Sequence, residues 1–154
     1  MRKILVALDG SSRGEKVLRD AVDTARAHDA RLVLMRSIGL PPEVPQTFWQ
    51  STDMSLLDIL DREAREYLTH CESLVPAASR GGTHVVVGSP WQSICRIAQT
   101  IGADLVVLGS HGYSGVDHLL GTTAAKVVNH CGCSVLVVKE PSPLQPTDPS
   151  LPKS

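Results

Sequence analysis

The residues best suited to chemistry lie in one stretch, Gly109-Ser110-His111-Gly112-Tyr113-Ser114-Gly115-Val116-Asp117-His118-Leu119-Leu120-Gly121-Thr122-Thr123. Glycines let backbone amides approach an anion with no Cβ in the way. Gly121-Thr122 leads into a helical pattern, whose first amides and positive dipole end favour a phosphate. The chemistry this suggests is phosphate cradling. The stretch has no Gly-Lys-Ser/Thr, so it is not a Walker loop, and it lacks the Gly-x-Gly-x-x-Gly dinucleotide fingerprint. It also reads as a turn-rich connector with incidental glycines. Phosphoryl transfer needs charge neutralisation and an oriented nucleophile, yet no Lys or Arg lies between Gly109 and Thr123. Such a set can grip a phosphate but does not describe a dedicated kinase or ATPase.

A second chemistry is metal binding. His111, His118, His130, Cys131 and Cys133 fall near this loop and the helix after it. Cys-Gly-Cys after a histidine invites zinc, but a Cys-x-Cys pair alone does not close a tetrahedral site.

The elements that must position these residues follow from periodicity. Lys3 to Leu8 is a short apolar run ending in Asp9-Gly10-Ser11-Ser12, a buried strand and a turn. Ser12-Arg13-Gly14-Glu15 matches a capping box, and Val17, Leu18, Ala21, Val22 and Ala25 follow at helical spacing. Arg31 to Ile38 is the second strand. Residues 39–54 hold three prolines with Phe48 and Trp49, a long loop of the kind that often carries function. Phe48 and Trp49 could cover a ligand, a dimer seam or the sheet edge.

A helix opening at Ser55-Leu56-Leu57-Asp58 has Leu57, Leu60, Ala64, Tyr67, Leu68, Cys71 and Leu74 on its apolar face. His84 to Val87 is the third strand. Ser89-Pro90-Trp91-Gln92 starts a helix that Gly102 ends, with Trp91 as a half-buried packing residue. Leu105 to Leu108 is strand four, Thr122 to His130 a short helix and Ser134 to Val138 strand five. Asp104 lies in the loop before strand four, at the end of the sheet away from the glycines. Five of the ten prolines fall in 141–154, so residues 140–154 read as a disordered tail beyond a folded unit of 1–139.

Continuously apolar strands alternating with helices specify α/β architecture, an open doubly wound parallel sheet of five strands with helices on both faces. Ligands in such sheets sit outside the carboxyl ends of the strands, where the order reverses. Composition agrees with one domain. At 154 residues the chain should bury roughly 70% of its unfolded surface.

Fifteen Lys and Arg oppose sixteen Asp and Glu, which gives no electrostatic footprint for nucleic acid, and 3% aromatic content gives no base-stacking platform. The charge is uneven: residues 37–72 carry two basic and seven acidic groups, most simply a solvated helical face. No apolar run approaches a membrane span, and the first residues turn polar too soon for a secretory signal. With Cys71, Cys95, Cys131 and Cys133 as free thiols, a reducing cytoplasm is the expected compartment.

Gly109-x-x-Gly112, then eight residues, then Gly121-Thr122, resembles the nucleotide-binding signature of the universal stress protein family. So do Ile4-Leu5-Val6-Ala7-Leu8-Asp9, Gly88-Ser89-Pro90, Ala103 to Gly112 and Cys133 to Val138, in the right order across residues 2–139. The resemblance implies strand order 3-2-1-4-5 and, in the ATP-binding branch, a nucleotide in the crevice between strands 1 and 4. Asp9 would then lie near the nucleotide and could hold Mg²⁺ through water. Ala7 and Ser37 would flank adenine. Gly109 and Gly112, with Ser110 and His111 between them, would wrap the ribose and phosphates, and Gly121, Thr122 and Thr123 would close over the phosphates.

The family's ATP-binding pattern usually has nine residues where this chain has eight, proline where it has Ala7 and valine where it has Ser37; Thr122 keeps the hydroxyl of the usual serine. Tyr113 could be a lid or an exposed loop aromatic. The resemblance also implies a homodimer built through the last strand, 134–138, and a nucleotide-responsive role in stress with at most slow ATP hydrolysis. A member of the same fold that binds no nucleotide and works as a dimeric interaction protein is the alternative.

Overall fold

The computed structural model describes residues 2–39, 54–110 and 120–140. The elements among the described residues are β1 (Lys3–Ala7), α1 (Gly14–His28), β2 (Arg31–Ile38), α2 (Met54–Ser73), β3 (Arg80–Val87), α3 (Pro90–Ile101), β4 (Leu105–Gly109), α4 (Thr122–His130) and β5 (Ser134–Val138), with a 3-10 turn at Ala77–Ser79. All strand pairs are parallel, and the sheet order is β3-β2-β1-β4-β5. The expected α/β class and strand order are both present.

The apolar strands are explained by what covers them. Successive strand residues point to opposite faces, so Ile4, Val6, Leu32, Leu34 and Val107 face α1 and α2, meeting Val17, Leu18, Ala21, Leu68 and Cys71. Leu5, Val33, Met35, Val106 and Leu108 face the other way, against Ile94 and Ala98 of α3 and Ala124 and Val127 of α4. With both faces buried, neither side of a central strand has room for polar residues.

Three local expectations change. The capping box does not form: α1 begins at Gly14, Arg13 occupies the cap position, and no side chain caps the helix. The Asp9 carboxylate instead accepts the Ser11 N–H at 2.9 Å, and the Ser11 carbonyl accepts Gly14 N–H at 3.0 Å. Gly10, at φ +79, lets the turn continue, so the helix starts beyond Ser12. Likewise Ser89 caps α3 by position without a side-chain bond, with Pro90 in the first turn and Gly102 in the left-handed cap as expected. Leu74 lies past the end of α2 and is 55% exposed, whereas Val75 turns inward and is buried.

β3 starts four residues before His84. Its Gly81-Gly82 pair hides the strand from any hydropathy reading. The extra residue is absorbed where the β2 register steps from Leu32↔Arg80 to Leu34↔Thr83. A Cβ on Gly81 would sit 2.8 Å from the Leu32 carbonyl oxygen. Backbone cannot yield as a flexible side chain can, so Gly81→Ala should lower stability by about 1–3 kcal/mol in urea unfolding.

At the amino end of the sheet, Asp104 ties β4 to β1. Its Oδ2 accepts Arg2 N–H at 2.7 Å and Lys3 N–H at 3.0 Å. These bonds, Arg2 first, hold the carboxyl below its ordinary pKa. A depressed folded pKa gives stability that is present above the unfolded pKa and lost as pH falls through the folded one. Asp104→Asn should therefore flatten the acid limb of the stability curve below about pH 4, as urea titrations at successive pH values would show.

Candidate functional site

The sheet order reverses between β1 and β4, so the crevice at their carboxyl ends is where this architecture offers a ligand its place. β1 enters it at Ala7, flanked by Met35 of β2 and Leu108 of β4. Leu8 stays in the ladder by donating its N–H to the Met35 carbonyl at 2.9 Å, and the chain then turns at Asp9 and Gly10. Asp9 is exposed, with Oδ1 engaged by Ser11 N–H. Ser37 lies on the same sheet face as Ala7, two residues beyond the β1 partner Met35, and pairs in register with Val86. The structure thus puts Ala7, Asp9 and Ser37 at one end of the sheet.

The other wall is built by one residue. Ser110 is 6% exposed and bonds in two directions. Its N–H donates to the Val138 carbonyl at 2.9 Å, extending the β4–β5 ladder, and its carbonyl accepts Gly121 N–H at 2.7 Å. That second bond ties the start of α4 to the end of β4, bringing Gly109, Ser110, Gly121, Thr122 and Thr123 together. Gly121 takes the cap position of α4 with no side-chain cap, and the first turn carries no acidic residue. The opening amides of the helix are left to a ligand or to water. A Cβ on Gly109 would meet Val17 Cγ2 at 3.5 Å, an ordinary contact, so packing against the protein does not by itself demand glycine there. His111 and Gly112 lie outside the described residues, as do Tyr113, His118, Phe48 and Trp49.

Sequence reading missed two neighbours of the β1–α1 turn, Arg36 and Tyr67. The Arg36 guanidinium, from β2, occupies space 2.6 Å from where a Gly10 Cβ would stand. It also lies 5.3 Å from the centre of the Tyr67 ring of α2. Burial, with Cys71 adding to it, pushes the Tyr67 hydroxyl well above its ordinary pKa. A cation therefore stands beside the β1–α1 turn although the glycine-rich loop has none. The visible signal was an arginine inside the apolar run Leu32-Val33-Leu34-Met35-Arg36. Between this turn and α2 lies a cavity of about 220 Å³ lined by Gly10, Ser11, Glu15, Tyr67, His70 and Cys71. Ser11 Oγ is buried nearby without a hydrogen-bond partner among the described residues.

Away from the crevice, a hollow of about 660 Å³ runs along the solvent side of α2, lined by Asp58, Asp61, Arg62 and Arg65. It holds the Arg65–Asp61 pair at 2.7 Å and is a charged, solvated helix face. Trp91 is half-buried against the core cluster under α3 and α4, 4.9 Å from the His130 ring and 5.6 Å from Lys126 Nζ. Its expected packing role is met. Among the described residues no group of three or more His, Cys, Asp or Glu is arranged to hold a metal ion, and no helix is long and apolar enough to cross a membrane.

The comparisons agree with this architecture. Universal stress protein A homolog 1 of Coxiella burnetii is 30% identical over 139 residues, covering 89% of this chain and 95% of its own. Universal stress protein Sll1388 of Synechocystis is 31% identical, covering 89% and 97%. The solved structure of universal stress protein UspA from Lactobacillus plantarum superposes with a TM-score of 0.77 at 25% identity, covering 90% of this chain and 97% of its own. Two solved universal stress proteins share the fold at 24% and 23% identity, with TM-scores of 0.67 and 0.64. The first is in complex with cAMP and the second, from Archaeoglobus fulgidus, with dAMP. They cover 89% and 90% of this chain and 96% and 98% of their own. The model of the universal stress protein family matches residues 1–139, and the chain belongs to that family.

Proposed function

We propose that this chain binds an adenine nucleotide, ATP, in the crevice at the carboxyl ends of β1 and β4, and acts as a nucleotide-responsive homodimer in the cytoplasmic stress response. The observation that carries the reading is the Ser110 bond to Gly121, which fixes the uncapped start of α4 at the end of β4. Helix amides so placed, with no acidic side chain in the first turn, suit a phosphate group. Complexes of two relatives with cAMP and dAMP support a nucleotide as the ligand class.

In this reading Ala7 and Ser37 flank the base, Gly109, Ser110, His111 and Gly112 wrap the ribose and phosphates, and Gly121, Thr122 and Thr123 close over the phosphates. Asp9 has Oδ1 held by Ser11 N–H and no partner on Oδ2 among the described residues, which suits a carboxylate that would hold Mg²⁺ through water. Mg²⁺, when bound with the nucleotide, would neutralise phosphate charge. The described site residues offer no general base with a partner, so binding with at most slow hydrolysis is the expected activity. In the same reading one domain spans residues 1–139, and the proline-rich stretch 140–154 follows it as a tail.

Dimerisation is supported by the β5 edge. β5 pairs with β4 on one side, and Leu136 on it is 37% exposed. An apolar strand edge of this kind is satisfied by pairing with a second copy. The same feature would serve an interaction protein that binds no nucleotide.

The test of the nucleotide reading is direct. The purified protein is heat-denatured and the supernatant assayed for adenine nucleotide, with ATP titrated into nucleotide-free protein in parallel. Released nucleotide, or saturable ATP binding, is expected. No nucleotide in the supernatant together with no binding of millimolar ATP would overturn it.

A further inference from the structure

Three of the four cysteines converge far from the residues assigned to the nucleotide. Cys131 ends α4 and Cys133 precedes β5, and their sulfurs lie 3.6 Å apart. Cys95, thirty-six residues before Cys131 in the chain, comes from α3 and lies close enough to interact with Cys131. All three are half-buried against the same core cluster, and all are free thiols. Cys71 is the exception, buried in the opposite core under α1 and α2. With the sulfurs of Cys131 and Cys133 in contact, the chemistry this geometry carries is between sulfurs.

We infer that Cys131 and Cys133 form a reversible disulfide on exposure to hydroperoxide, making the α4–β5 turn a thiol-oxidation site of this protein. The pair is in sulfur contact already, and closing to a bond of about 2.05 Å requires a shift within one turn. Gly132 between them has nothing within 4 Å of where a Cβ would stand, so no packed neighbour at that position pins the turn. The reaction balances without another reagent. One sulfur attacks a peroxide oxygen, the O–O bond breaks, water leaves and a sulfenic acid forms. The second sulfur then attacks the sulfenic sulfur, the S–S bond forms and a second water leaves. Two thiols lose two electrons and two protons, and hydrogen peroxide becomes two waters.

Burial holds the thiols of Cys95 and Cys133 above their ordinary pKa, with interactions from Cys131 adding to it.

The sequence makes the test clean. Trypsin releases Cys131 and Cys133 together in 127–139, Cys95 in 81–96 and Cys71 in 66–80. The folded full chain is treated with hydrogen peroxide, its remaining thiols are alkylated, and peptides are mapped without reduction. Peptide 127–139 is expected to lose the mass of two hydrogens and to regain it after dithiothreitol, while the other two peptides carry the alkyl label. A Cys95→Ser chain is expected to form the same ring. Full alkylation of all four thiols after oxidant, a bridge joining 81–96 to 127–139, or loss of the ring in Cys95→Ser would each overturn the assignment.

Discussion

Gly121→Val is expected to weaken ATP binding by roughly a hundredfold, about 2.7 kcal/mol, while the fold is retained. The argument begins with the backbone. Gly121 sits at φ −58 and ψ 155, a conformation any residue adopts, and the valine N–H can still reach the Ser110 carbonyl. The change is therefore in space, not in backbone strain. Gly121 is buried, and a branched side chain there must either push into the ground above the α4 amides or lift them from the end of β4. Either movement removes the close amide–phosphate approach on which helix-terminus binding depends.

Isothermal titration with ATP reads the loss, and circular dichroism with thermal unfolding checks the fold. Gly121→Ala, with a smaller group in the same place, should fall between the two. Unaltered ATP affinity in a folded Gly121→Val chain would remove the β4–α4 junction from the site.

The second large effect belongs to the edge of the sheet, on β5. Leu136→Asp is expected to turn a dimer into a monomer, raising the dimer dissociation constant by about a hundredfold or more. β5 exposes Leu136 while Val135 and Val137 pack against the α3 and α4 core, so the substitution changes the edge and leaves the inward residues in place. A charge on an apolar strand edge is one of the devices by which edge-to-edge pairing is prevented. Analytical ultracentrifugation of both chains decides it, and a Leu136→Asp chain that remains dimeric would place the seam elsewhere.

The two variants also separate two kinds of protein. A nucleotide-responsive module loses partner binding with either change. An interaction protein of the same fold keeps its partner in Gly121→Val and loses it in Leu136→Asp.

What was legible beforehand depended on the range of the interaction concerned. β2, α4 and β5 have the bounds expected from their apolar runs and flanking breakers. Their limits are local: a proline or glycine, a cap, or the end of a hydrophobic stretch. β3 was half-hidden, because Gly81-Gly82 has no strand propensity and pairs only through a bulge against β2. The start of α1 was misread because the Asp9 carboxylate takes the turn amide and the chain winds on before the helix begins. Leu74 fitted the helical spacing of α2, yet α2 ends before it and Val75 fills the core place.

The chain alone determined the α/β class, the two-faced burial of the strands and the grouping of small residues at 109–123, because composition and periodicity act over a few residues at a time. Tertiary structure decided which of those residues meet. It brought Ser110 to Gly121, set Ala7 beside Leu108 and carried the Arg36 guanidinium to Gly10, a cation that a reading confined to the glycine-rich stretch does not contain. It also gathered Cys95 with Cys131 and Cys133. Each of these contacts joins segments that only the parallel crossovers place side by side, and no local preference encodes where a crossover returns.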